Sequence, residues 1–254
     1  MEDAHAFRHP GEGFFAAEVY DGHCGSAAAS IAARVLTPYF ESMRTAELDK
    51  PAVDRRAERD LLKEAYLKTD RFIVNSGTIS GAAAATFYLL GKRFLAANAG
   101  DVRILIGTDG KGRILTVDHS PWDPEERARI EALGGEVVIM DIPRVQGALA
   151  VSRALGDLPF KPFISAKPHI VEGLLGQEND LVLLASDGLW HGLDLHEALL
   201  MARAAEDPQS AADQILFQAC AQGAPDNITI MVLDLRDLTR HMAREKMEIM
   251  AAYG

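Results

Sequence analysis

The sequence predicts an α+β fold in which strands and helices pack in layers. Two observations favour it: one buried strand is followed by two helical segments, and a run of short apolar segments then follows with no intervening helices. Separate runs of strands and helices favour an α+β arrangement, whereas strict alternation is typical of parallel α/β sheets. Neither a fixed-period repeat nor a long linker divides the 254 residues. We therefore expect a single domain over residues 1–254.

The N-terminal third of the chain contains one strand and two helices by its hydrophobic pattern. GFFAAEVY, residues 13–20, is apolar, aromatic and β-branched, as expected for a buried strand. Apolar residues then recur at helical spacing over residues 25–43 and again over residues 53–75. This succession predicts a strand followed by two helices.

Short apolar runs separated by turn residues begin at Gly81. AAAATFYLL, RFLAANAG, VRILIG and RILTVDH are broken by GK, AGD and TDGKG, which predicts an antiparallel meander. DPEERARIEALGG then predicts a short helix with Asp123 as its N-cap and Gly134 at its end. DLVLLASDG and NITIMVLDL predict two further buried strands. Helices are predicted for DLHEALLMARAAED, PQSAADQILFQACAQG and the C-terminal LTRHMAREKMEIMAAY.

Composition excludes several classes of protein. The formal net charge is -11 and no cluster of lysine and arginine interrupts it, so we expect no nucleic-acid partner. No apolar run reaches the roughly 18 to 20 residues that span a bilayer, and the first ten residues are too polar for a signal peptide. Cys24 and Cys220 lie too far apart for a CxxC motif, which argues against a disulfide framework and a thiolate zinc site. We expect no membrane partner and a cytoplasmic or nuclear location.

Three aspartates stand where a predicted buried strand meets a loop: Asp21 after AAEVY, Asp187 after LVLLAS, and Asp226 before NITIMVL. Any one of them alone is more often a turn residue than a metal ligand. Several such carboxylates at one edge would repel each other unless protons or cations were bound. Hard divalent ions such as Mg²⁺ and Mn²⁺ prefer oxygen ligands and would relieve the repulsion.

An ordered set of motifs carries a resemblance to a known family. MEDAH, VYDGHCG, ANAGDVR, DHSP, RIEALGGEV, RVQGALAVSRALGD, KPHI, LLASDGLW and PDNITIMVL occur in this order along the chain. Together they resemble the metal-dependent serine/threonine protein phosphatase family, type 2C, from Met1 to about Leu233. The resemblance implies a four-layer α-β-β-α sandwich of two packed, mostly antiparallel sheets flanked by helices, with a two-metal centre in a cleft at one edge.

The family pattern implies a ligand set for two Mg²⁺ or Mn²⁺ ions. Asp21 would bridge the two ions, and the carbonyl of Gly22 would bind one of them. Asp187 and Asp226 would bind the other ion. The acidic pair of the first motif, Glu2 and Asp3, would hold metal-bound water.

The resemblance also implies the reaction. A hydroxide that bridges the two ions would attack the phosphorus of phosphoserine or phosphothreonine in protein substrates, and His23 would protonate the leaving alkoxide. The family pattern makes Arg153 and Asp157 of LAVSRALGD mainly structural, outside the active site. The same pattern places a short variable flap at residues 158–167, beside the cleft. We expect the protein to be a monomer.

Two features depart from the family pattern. The family carries a phosphate-binding arginine a few residues before MED, and we expect that this chain lacks that arginine and its N-terminal edge strand, or that Arg8 replaces the arginine. The family also has an aspartate where this chain has His191. With Asp101 and Asp187, that aspartate binds a third, weaker metal, so we expect His191 either to remove this third site or to change its metal preference. A pseudophosphatase, which keeps the fold as a binding or regulatory module with little turnover, is therefore the alternative to an active enzyme.

Overall fold

A computed structural model describes residues 1–11 and 13–239 of the chain. The strands are β1 (Ala4–Gly11), β2 (Phe14–His23), β3 (Gly81–Leu90), β4 (Arg93–Ala99), β5 (Arg103–Thr108), β6 (Lys111–Ile114), β7 (Val137–Ile139), β8 (Pro143–Val145), β9 (Leu155–Gly156), β10 (His169–Leu174), β11 (Asn179–Ala185) and β12 (Ile230–Asp234). The α-helices are α1 (Ala27–Leu48), α2 (Glu58–Asn75), α3 (Pro124–Ala132), α4 (Asp187–Gly192), α5 (Leu195–Ala204) and α6 (Pro208–Ala221). The predicted C-terminal helix falls mainly on residues 240–254, outside the described residues; residues 236–239 are helical.

The larger strands form two antiparallel sheets. The first sheet has the order β1-β2-β3-β4-β10, with β9 also paired to β3, and the second has the order β12-β11-β5-β6. Strands β7 and β8 form a separate hairpin. The connection from β4 to β5 therefore crosses from the first sheet to the second.

Buried side chains show that these elements stack in four layers. Leu36 of α1 and Tyr66 of α2 pack against Tyr88 of the first sheet. The two sheets pack on each other through Phe87, Ile104 and other apolar residues. Helices α5 and α6 cover the far face of the second sheet in a third apolar cluster. Each large side chain buried in this way contributes about 1.5–3 kcal/mol, and the predicted α-β-β-α sandwich is confirmed.

A small unit that lies between β6 and β9 in the sequence contains α3 and the β7–β8 hairpin. Asp123 caps α3 as predicted, because its Oδ1 accepts hydrogen bonds from the amides of Glu125 at 2.8 Å and Glu126 at 3.3 Å. The unit has its own apolar cluster, which includes Ile130 of α3 and Ile164. The Glu126 carboxylate lies between Arg129 and Arg153 and accepts hydrogen bonds from both. Phe160, Phe163 and Ile164 pack in the same apolar cluster, so this segment belongs to the unit.

Candidate active site

One cleft of about 400 Å³ gathers side chains from both sheets. Asp21 and His23 lie at the end of β2, Asp101 lies between β4 and β5, and Asp187 begins α4 directly after β11. These segments lie far apart in the sequence and meet because the strands that carry them end at the same edge of the sandwich. The residues that line the cleft are Glu2, Asp21, Gly22, His23, Ala83, Asp101, Arg144, Ala148, Leu149, Ala150, Val151, Asp187 and Asp226.

The glycines of the two Asp-Gly pairs let neighbouring backbones approach closely. A Cβ at Gly22 would lie 2.2 Å from the carbonyl oxygen of Glu2, and a Cβ at Gly188 would lie 2.2 Å from the carbonyl oxygen of Asn227. Any side chain at these positions would collide with backbone. Glycine at the first position brings the start of the chain against Asp21. Glycine at the second brings the loop that carries Asp226 against the start of α4.

The carboxylates in the cleft repel one another. Burial raises the pKa of Asp21 well above its ordinary value, and the charges of Asp187, Asp3 and Asp101 raise it further. Burial and the charge of Asp187 likewise raise the pKa of Asp101 to about 7. A bound cation would favour the ionised form of both groups. The electrostatics of the cleft therefore match the prediction, made from the strand ends, of carboxylates that need a cation.

The donors in the cleft fit hard divalent ions. Carboxylates and backbone carbonyls are oxygen donors, which Mg²⁺ and Mn²⁺ prefer. Within residues 1–11 and 13–239, no three acidic, histidine or cysteine side chains form a ready-made ligand set for one ion. Mg²⁺ is usually held by one or two carboxylates and keeps several waters. The cleft therefore fits ions that are each bound by few protein ligands and complete their coordination with water.

Glu2 and Asp3 occupy different positions beside Asp21. The Glu2 carboxylate lines the cleft and accepts a hydrogen bond from the amide of Gly25 at 2.9 Å, while its own amide donates to Asn227 Oδ1 at 3.1 Å. The Asp3 carboxylate accepts a hydrogen bond from Thr229 Oγ1 at 2.7 Å and lines a neighbouring groove beside α6. Of the predicted water-holding pair, Glu2 lines the cleft, and Asp3 acts on Asp21 through its charge.

His23 is paired with a carboxylate that the sequence analysis left outside the active site. His23 Nε2 lies 2.8 Å from Asp157 Oδ1 and 3.0 Å from Oδ2. The strand registers explain the pairing: His23 lies opposite Gly81 in β2 and β3, and Gly81 lies opposite Gly156 in β3 and β9. His23, Gly81 and Gly156 therefore form a row across three neighbouring strands, and Asp157 directly follows Gly156. Asp157, which the sequence did not assign to the active site, therefore contacts one of the predicted active-site side chains.

Asp157 changes the acidity of the imidazole. The Asp157 side chain is buried, and a Cβ at Gly81 would lie 2.3 Å from its carboxylate carbon, so the carboxylate is packed against backbone. Burial by itself lowers the pKa of His23. The hydrogen bond and charge of Asp157, together with the charges of Asp101 and Glu2, outweigh this effect and raise the pKa of His23 above its ordinary value. The pair thus favours a protonated His23 beside the cleft.

Comparison with known proteins agrees with this geometry. Residues 1–228 match the family model "Protein phosphatase 2C". The chain belongs to the protein phosphatase 2C family. This is a family of Mg²⁺- or Mn²⁺-dependent serine/threonine phosphatases, and the family resemblance predicted from the motifs is confirmed.

Individual relatives show how much of the chain the family covers. A probable protein phosphatase 2C 44 of Oryza sativa is 32% identical over 93% of this chain and 74% of its own length. A probable protein phosphatase 2C member 13, mitochondrial, of the same plant is 35% identical over 85% of this chain. The chain spans only 58% of that relative's length.

Solved structures support the fold. A C. elegans sex determining protein superposes with a TM-score of 0.83 at 27% identity, over 92% of this chain and 61% of that chain. A serine-threonine phosphatase 2C from Toxoplasma gondii superposes with a TM-score of 0.78 at 22% identity, over 92% of this chain and 90% of that chain.

The third-site residues that the phosphatase 2C pattern implies are divided in this structure. Asp101 and Asp187 both line the cleft. His191 is exposed one helical turn after Asp187, and its Nδ1 lies 3.0 Å from the Asp187 carbonyl oxygen. His191 is not among the residues that line the cleft.

The arginines near the phosphatase 2C motifs have three different environments. Arg8 does not line the cleft: its guanidinium donates to the Ala33 carbonyl, and its Nε lies 3.8 Å from Glu18. Arg153 donates hydrogen bonds to the Glu126 carboxylate and to the carbonyl of Lys167 and is not among the residues that line the cleft. Arg144, which the sequence analysis did not single out, does line the cleft.

The wall of the cleft also differs from the expected flap. The cleft is also lined by Arg144 of β8 and by residues 148–151, which follow the β7–β8 hairpin. Residues 158–167, the expected flap, contribute none of the described residues that line the cleft. They support the hairpin from below instead, through Ile164 and its apolar neighbours.

Proposed function

We propose that the chain hydrolyses phosphoserine and phosphothreonine in proteins with the help of two Mg²⁺ or Mn²⁺ ions. The observation that carries this proposal is the meeting of Asp21, Asp187 and Asp226 in one cleft with a histidine. The three aspartates come from separate segments of a chain that belongs to the phosphatase 2C family. A group of buried, mutually repelling carboxylates costs stability, so its position in a cleft favours a role in binding cations.

The ligands follow from the family pattern and the positions of the side chains. Asp21 would contact both ions, the Gly22 carbonyl would bind one, and Asp187 and Asp226 would bind the other. Glu2 and Asp3 would act through bound water. When bound, the two ions would lower the pKa of a water molecule and neutralise charge on the substrate phosphate.

The residues of the chain supply a proton donor. Cleavage of a serine or threonine phosphate ester leaves an alkoxide that must be protonated. His23 would supply this proton from Nδ1, because Nε2 is held by the Asp157 carboxylate. The same carboxylate favours the doubly protonated ring that a general acid requires.

A direct assay tests the proposal. Hydrolysis of an aryl phosphate and of a phosphothreonine peptide would be measured with and without Mn²⁺ for the wild type, for Asp187→Asn, and for Asp109→Asn. Asp109 is a matched control, since it is an exposed turn residue at φ 49°, a conformation that asparagine also adopts. We expect Mn²⁺-dependent turnover in the wild type and the control, and loss of most of it in Asp187→Asn.

The same assay separates the two functions predicted from the sequence. A wild-type rate with Mn²⁺ that does not exceed the rate of Asp187→Asn would reject the enzyme and leave the pseudophosphatase.

Among residues 1–11 and 13–239, no helix combines the length and the apolar character that crossing a membrane requires. The single domain, the missing edge strand, the monomer, the lack of a nucleic-acid partner and the cytoplasmic or nuclear location stay predictions.

A further inference from the structure

Arg144 is the one lysine or arginine among the described residues that line the cleft. It lies on β8, in the β7–β8 hairpin, and lines the same cleft as the carboxylates. The cleft is otherwise strongly acidic, with carboxylates from Glu2, Asp21, Asp101, Asp187 and Asp226. A phosphate ester that enters such a cleft meets repulsion from every carboxylate that a metal ion does not neutralise. The guanidinium of Arg144 carries a permanent positive charge and would attract the phosphate ester, as would a protonated His23.

The hydrogen bonds of Arg144 hold its side chain but leave donors available. Nη1 donates to the Ala148 carbonyl at 3.0 Å, which closes the turn after the hairpin. Nε and Nη2 donate to the two carboxylate oxygens of Asp141 at 3.3 and 3.4 Å. An arginine has five N–H donors, so one on each terminal nitrogen has no partner among the described residues. The Asp141 side chain is 70% exposed, and such long, solvated contacts are weak.

We propose that Arg144 binds the phosphoryl group of the substrate and that Asp141 competes with this group for the guanidinium. The inference rests on the proposed function, because it names a substrate-binding residue of the same cleft. A phosphate offers more charge and more acceptor oxygens than a carboxylate and accepts paired hydrogen bonds from a guanidinium. Substrate would therefore displace Asp141 from Arg144, while the Ala148 carbonyl keeps the side chain in place.

This assignment predicts opposite effects for two neighbouring substitutions. Arg144→Ala should raise the KM for an aryl phosphate about tenfold and change kcat less than about twofold, because the contact is made already in the ground state. Arg144→Lys should restore part of the affinity through its charge alone. Asp141→Asn should lower KM by about two- to threefold, since the competing charge is removed.

A matched control separates these effects from a change in the fold of the hairpin unit. Arg127 lies on α3 in the same unit and is exposed, with its Nε bonded to Glu131 at 2.8 Å. Arg127→Ala should leave KM and kcat unchanged. Unchanged KM in Arg144→Ala, or a rise in KM in Asp141→Asn, would overturn the proposal.

Binding of inorganic phosphate gives a readout that does not depend on turnover. Calorimetric titration of the Mn²⁺-loaded protein with inorganic phosphate should show about tenfold weaker binding in Arg144→Ala than in the wild type. A wild type that binds phosphate through Arg144 but shows no hydrolysis would reject the proposed function and keep this inference. An active wild type whose affinity for phosphate equals that of Arg144→Ala would support the proposed function and overturn this inference. A KM change confined to phosphopeptides with acidic flanking residues would assign Arg144 to those carboxylates and overturn the inference.

Discussion

Replacement of Asp157 by asparagine tests the role given to His23. Asparagine keeps the size of the side chain, and the amide of residue 157 still donates to the Ser80 carbonyl at 3.1 Å. The substitution removes only the charge that faces the imidazole. We expect kcat to fall and KM to stay within about twofold of the wild type, because proton donation to the leaving group occurs in the transition state.

The size of the effect follows from the geometry. His23 Nε2 lies within 3.0 Å of both carboxylate oxygens, and the Asp157 side chain is 1% exposed. A hydrogen bond between a charged pair contributes about 1.5–3 kcal/mol. At about 1.4 kcal/mol for each factor of ten in rate, kcat should fall by roughly tenfold to a hundredfold.

The raised pKa of His23 also predicts the direction in which the pH profile of kcat should move. His23 must be protonated to act as an acid, so kcat falls as the pH rises through its pKa. Asp157 raises that pKa, so Asp157→Asn should move the basic limb of the kcat profile to lower pH. Steady-state hydrolysis of a phosphothreonine peptide with saturating Mn²⁺ measures both quantities. Asp123→Asn is the control, because asparagine caps a helix as well as aspartate. An unchanged kcat and an unchanged basic limb in Asp157→Asn would refute the role of His23 or of its partner.

Four further predictions concern the cleft and its supports. Gly22→Ala should destabilise the protein by about 1–3 kcal/mol in urea unfolding and lower the activity, because its Cβ would lie 2.2 Å from the Glu2 carbonyl oxygen. Glu126, whose pKa burial alone would raise, is held at about 2 by hydrogen bonds from its two arginine partners. The ionised Glu126 carboxylate therefore adds on the order of 3 kcal/mol to the free energy of unfolding above about pH 4.5, and this stabilisation is lost as the pH falls toward 2. Glu126→Gln should be less stable than the wild type at pH 7 and about equally stable near pH 2. His191→Asp should add a weak Mn²⁺-binding step in calorimetry, and an unchanged isotherm would count against a third site there. Mn²⁺ at a hundred times its Kd should raise the stability of the wild type by about 2.7 kcal/mol, and Asp187→Asn should lose most of this gain in thermal unfolding.

The helices and strands that the sequence predicted well are those with buried, periodic apolar residues. GFFAAEVY became β2, and DLVLLASDG became β11 with Asp187 at the start of α4. Strand β1 was not predicted, because it lies at the edge of the first sheet and exposes alternate residues such as His5 and Phe7. The β7–β8 hairpin was also not predicted, since its strands have only three residues each. Short and half-exposed strands carry too little apolar pattern to stand out.

The site was predictable where a motif names a residue and not where only the fold brings residues together. Asp21, Asp187 and Asp226 could be named from the ends of predicted strands. The pairing of His23 with Asp157 depends on two strand registers, between β2 and β3 and between β3 and β9. A one-residue slip in either register would move Asp157 out of reach. Arg144 lines the cleft next to the turn that its hydrogen bond to the Ala148 carbonyl closes. No hydrophobic periodicity in the sequence predicts such a turn.

The position of the cleft also explains why bound cations should act on the fold as a whole. Asp21 ends a strand of the first sheet, Asp187 follows a strand of the second, and Asp101 lies in the connection between them. The two sheets are held together elsewhere by apolar contacts such as Phe87 with its neighbours, but at this edge they present like charges to each other. A cation shared between Asp21 and Asp187 would turn repulsion across the two sheets into attraction. Metal binding and closure of the sandwich at this edge would therefore be linked, and a variant that weakens one should weaken the other.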